Sequence, residues 1–68
     1  MYDTAELKQR FIIIKNSSLD DAKILDQNYM QLIGDTYNPE DQEQLLILRS
    51  NVKRRIEELK GSNGKHRL

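Results

Sequence analysis

Residues Phe11 to Ile14 read FIII, and how these four are read decides the fold. Four apolar residues in a row suit a short buried strand as well as a turn of buried helix. What surrounds them favours helix. Asp3 stands three residues before Glu6, the spacing at which cap and third helical residue satisfy each other's backbone N–H. Tyr2 before that cap and Leu7 beyond it can close as a hydrophobic staple. Leu7, Phe11 and Ile14 then recur at helical spacing, and AELKQR favours helix. No second strand is available to pair with FIII.

Working outward, the sequence NSS at 16–18 breaks the pattern. Ser18 is a good N-cap, and Asp20 and Asp21 follow it near the positive end of a second helix. Ala22, Leu25, Tyr29, Leu32 and Ile33 make one stripe of that helix. Gly34 follows the last of them, where a left-handed C-terminal glycine is expected. In DTYNPED, residues 35–41, Asn38 caps and Pro39 takes the first helical position. The third helix is expected to run toward Lys60 and to stop at Gly61, with Leu45, Leu48, Val52, Ile56 and Leu59 as its core stripe.

The expected fold is therefore all-α, a small three-helix bundle of antiparallel neighbours. At 1.5 Å per residue the first helix spans about 20 Å and the third about 33 Å. Either the third projects past the bundle, or it breaks near Ser50-Asn51, where helix propensity is weak, and four short helices result. Residues 1–61 form the expected domain, and 62–68 a flexible basic tail.

Sixty-eight residues allow one domain, which buries only about 60% of the surface of its unfolded chain. There is no cysteine, so neither disulfides nor cysteine-held metal can strengthen a thin core. No apolar run exceeds four residues and no signal segment opens the chain. A cytoplasmic protein with no membrane partner is expected.

No catalytic constellation stands out. The single histidine, His66, falls in the tail, where nothing holds it against a nucleophile or a carboxylate. Asp20/Asp21 and Glu57/Glu58 are adjacent in sequence, so on a helix they point about 100° apart and do not converge on one atom. Ligand clusters for metals and phosphate-cradling glycine loops are missing. The expectation is a protein without enzymatic activity, cofactor, metal or small-molecule substrate.

The formal charge is zero, but it is segregated. Residues 1–45 hold four Lys/Arg against nine Asp/Glu, and residues 46–68 hold seven against two. Such asymmetry points to an interaction surface. On a helical wheel Arg49, Lys53 and Lys60 follow one edge of the apolar stripe of the third helix, Arg55 flanks the other, and Arg54 points outward beside Glu57 and Glu58. Lys65 and Arg67 extend the basic stretch. These seven residues suit the backbone phosphates of DNA or RNA. Ordinary helix chemistry accounts for part of the cluster: cations complement the C-terminal dipole, Lys53–Glu57 and Arg54–Glu58 have pairing spacing, and long cationic stems cover apolar core. A recognition helix in the major groove is not expected, because the leading residues Glu40, Asp41 and Glu43 would meet phosphates. Tyr2, Tyr29 and Tyr37 could stack on bases, though core packing is the commoner fate.

A second expectation comes from the apolar belts. FIII and LLIL, residues 45–48, place apolar side chains all round their helices, while a surface helix needs one stripe. Ile12, Ile13, Leu46 and Ile47 are the surplus, available to a protein partner or to a second copy. Charge segregation is the rarer feature, so weak sequence-nonspecific nucleic-acid binding is placed first and protein binding second.

Overall fold

The computed structural model describes residues 1–64. They form three helices and, among the described residues, no strand: α1 (Thr4–Lys15), α2 (Leu19–Asp35) and α3 (Pro39–Gly64). FIII is helical. Ile14 is buried and Phe11 packs on the core, while Ile12 and Ile13 stay exposed. A strand would set Phe11 and Ile14 on opposite faces; three residues apart on a helix, they share one.

All three helices start as the sequence indicates. Asp3 Oδ1 accepts from the Glu6 N–H at 2.8 Å and Glu6 Oε1 accepts from the Asp3 N–H at 3.1 Å. Ser18 Oγ accepts from Asp21 N–H, and Asn38 Oδ1 takes the N–H groups of Glu40 and Asp41. The helix ends differ from expectation. No described glycine has a positive φ, and Gly34 lies inside α2. Carbonyls at this end and at its C-cap, Thr36, are satisfied by other groups instead. Thr36 donates from Oγ1 to Leu32 O at 2.7 Å and from its N–H to Ile33 O at 3.4 Å, and Gln42 Nε2 donates to Thr36 O at 2.8 Å. With those acceptors filled, no left-handed turn is required.

The third helix neither breaks at Ser50-Asn51 nor stops at Gly61. Asn51 Nδ2 donates to Ile47 O, one turn back, at 2.9 Å. Its amide thus adds to the helix, while buried Leu48 and Val52 anchor the segment on either side. Of the proposed tail, residues 62–64 continue α3, and 65–68 lie outside the described residues.

α3 is the spine of the bundle. At 1.5 Å per residue it spans about 39 Å of a molecule 44 × 24 × 18 Å. α2 packs along it, α1 packs against it more narrowly, and α1 and α2 meet each other least. Asp26 beside Arg49 and Ile33 beside Gln42 make α2 antiparallel to α3. Tyr2 beside Gln44 and Ser17 beside Arg55 make α1 parallel to it. The buried core is Ile14, Ala22, Tyr29, Leu45, Leu48 and Val52, and the three residues from α3 are fully enclosed. Tyr2, Leu7, Phe11, Leu25, Ile33 and Ile56 pack around it. Leu32, which belongs to the sequence stripe of α2, stands 39% exposed.

Candidate interaction surfaces

The basic half of α3 faces the turn between α1 and α2. Arg55 reaches that turn and donates twice to the Ser17 carbonyl, from Nε at 3.1 Å and Nη2 at 3.0 Å. Ser17 is buried, and its hydroxyl donates to Ile14 O at 2.7 Å. Hydroxyl and guanidinium together satisfy backbone carbonyls at the end of α1.

Arg49 is also held inside the fold. Its Nε lies 3.0 Å from Asp26 Oδ1 on α2, with both side chains about a quarter exposed, and its Nη2 points at Met30 Sδ 3.6 Å away. The pairs spaced for closure along α3, Lys53–Glu57 and Arg54–Glu58, are not within ion-pair distance. The ion pairs between described residues are Arg49–Asp26 and the Met1 ammonium with Asp41. The wheel sets Arg49 as available and Arg54 as occupied, and the fold reverses the two.

The remaining cations divide between two shallow grooves. Lys53 and Lys60 meet Lys23 across the α2–α3 seam, with Asp26 and Glu57 among them. Arg54 and Arg55 meet Lys15 across the α1–α3 seam, with Asn16, Asn51 and Glu58. Lys15 and Lys23 are contributors that the sequence reading passed over, because each sits alone on its helix and joins the others only through packing. Lys65 and Arg67 lie outside the described residues. The antiparallel course of α2 also sets Asp26 against Arg49 in the basic half of α3, and Glu57 stands among the lysines of the groove there. The segregation along the chain is therefore partly cancelled in space.

The apolar surplus stays uncovered. Ile12 is 58% exposed, Leu46 52%, and Ile13 and Ile47 48% each, with Ile24 and Met30 also open to solvent. Tyr37 in the α2–α3 connection is 91% exposed, whereas Tyr29 is buried. Burial pushes the Tyr29 phenol above the usual tyrosine range, with the neighbouring Tyr2 adding to this and the Arg10 guanidinium opposing it. Arg10 also stacks over the Tyr2 ring, 5.1 Å from its centre. Two tyrosines are thereby committed to packing.

Among the described residues no group of three or more His, Cys, Asp or Glu is placed to hold a metal ion, and no helix is long and apolar enough to cross a membrane. Comparison with protein-family models, with curated proteins and with solved structures finds no match.

Proposed function

We propose that this chain is a non-catalytic protein-binding module whose contact surface is built on the exposed apolar side chains of α1 and α3. One observation carries the reading: Ile12, Ile13, Leu46 and Ile47 remain about half exposed beside a buried apolar core that, among the described residues, is six side chains. Apolar area left in water on this scale relative to the core favours a partner that covers it. Two of the arginines that the phosphate reading relied on, Arg49 and Arg55, are already engaged within the fold, which lowers that reading to second place.

The test is retention on the immobilised full chain, with an Ile12→Gln/Ile47→Gln variant alongside. Support is a defined protein species, the free chain itself included, that the native surface holds and the variant releases. Equal retention by both overturns the reading.

The second reading is weak binding of nucleic-acid phosphates. Lys15, Lys23, Lys53, Arg54 and Lys60 favour it, since none has a carboxylate of a described residue within ion-pair distance. Contacts of this kind are electrostatic and indifferent to sequence. On adding single-stranded DNA, amide shifts should gather at residues 15, 23 and 53–60 and fade with salt. An absence of shifts at low salt removes this reading.

A further inference from the structure

The outward face of α3 carries Glu43, Ile47, Ser50 and Arg54, spaced by four, three and four residues, and all four are exposed. Glu43 and Arg54 are eleven residues apart, about three turns, so they share one line along the helix. They are also equidistant from the point midway between Ile47 and Ser50. Neither is in an ion pair with another described residue.

We propose that a second copy of this chain packs on this face, α3 against α3 in antiparallel orientation, about a two-fold axis that passes between Ile47 and Ser50. This rests on the protein-binding reading and names its partner. In this register Glu43 of each copy meets Arg54 of the other, so one two-fold contact closes two opposite-charge pairs. Ile47 of each copy faces Ser50 of the other, a small side chain that lets the helices approach. Leu46 flanks the same seam on the α2 side.

The register also uses α1. Tyr2 beside Gln44 and Ser17 beside Arg55 set Ile12 at the level of Asn51. Ile47 of the second copy falls at the level of Ser50, next to it. Three of the four surplus apolar side chains are then covered together. Ile13 remains outside the contact. Glu40 and Glu58 of opposite copies approach on one flank, off the line of the seam, and oppose the two favourable pairs.

The experiment is sedimentation equilibrium of the full chain from micromolar to millimolar concentration, on the native protein, Glu43→Arg, Arg54→Glu and the double exchange. Both sites are exposed and in no ion pair among the described residues, so the variants test contact rather than folding. The native chain should approach dimer mass. Each single reversal should weaken association by about tenfold, as two lost pairs and two repulsions imply, and the double exchange should restore it. A native chain that stays monomeric overturns the proposal, as does a dimer indifferent to the single reversals or not rescued by the double exchange. If the retention assay still finds a protein released by the Ile12/Ile47 variant, the protein-binding reading survives that outcome.

Discussion

Arg55 illustrates what one side chain does in a domain this small. It lies on a flank of α3, yet its main task is at the end of α1, where two N–H groups meet the Ser17 carbonyl. Replacing it with alanine leaves that carbonyl to find water at a partly buried junction. Arg55→Ala is expected to cost about 1–3 kcal/mol in urea denaturation, and Arg55→Lys less, since one donor can be retained. The wheel shows which way Arg55 and Arg49 point, but their acceptors, Ser17 and Asp26, are on other segments. Side-chain direction was thus legible in the sequence and side-chain partnership was not. Tyr29 supplies a pH-dependent counterpart. Its raised phenol pKa means that the folded state favours the protonated form. The stabilisation is complete below the unfolded value of about 10 and is lost as pH rises through the higher folded value. Thermal melts of native protein should fall more steeply above that pH than melts of Tyr29→Phe.

Among the elements, helix starts were legible because a cap oxygen and the N–H donors it accepts from lie within three residues of each other. Asp3, Ser18 and Asn38 all cap where the sequence places them. Helix ends were less so, because part of what satisfies the carbonyls there comes from another helix, Gln42 and Arg55 of α3. Gln42, in the first turn of α3, donates to the carbonyl of Thr36, the C-cap of α2, and no local pattern announces it. Gly34 consequently serves as an ordinary helical residue, and a Cβ built there meets nothing within 4 Å. Alanine loses less backbone entropy than glycine in a helix. Gly34→Ala is therefore expected to stabilise the fold by about 0.5–1 kcal/mol, measurable as a higher urea midpoint at unchanged slope. A left-handed Gly34 would give the opposite sign. The continuity of α3 teaches the same lesson, since Asn51 is a weak helix former that here donates back to Ile47.

At the scale of the molecule, the all-α bundle was legible from apolar spacing read together with the helix caps, and the stripe Leu45, Leu48 and Val52 is its buried spine. The surface was legible only in part. Exposure of Ile12, Ile13, Leu46 and Ile47 follows from each helix having a single inward face. The fate of the charges depends on the direction in which α2 crosses α3, which composition does not reveal. The same arrangement governs how the fold comes apart. α1 and α2 hold to α3 far more than to each other, so α1 can leave without dismantling the α2–α3 hairpin. Its side-chain ties to α3 sit at its two ends, the Gln44 amide on the Tyr2 backbone and Arg55 on Ser17. Amide hydrogen exchange should reveal this as two opening classes, with α1 protected less than the central residues of α2 and α3. Uniform protection across the three helices would mean that they open as one unit. An α1 that lifts away transiently uncovers Leu45, Leu48 and Val52, so the chain's brief excursions from its native state would present a longer apolar strip than its resting surface does. Proteolysis or misassembly would then begin at that first helix.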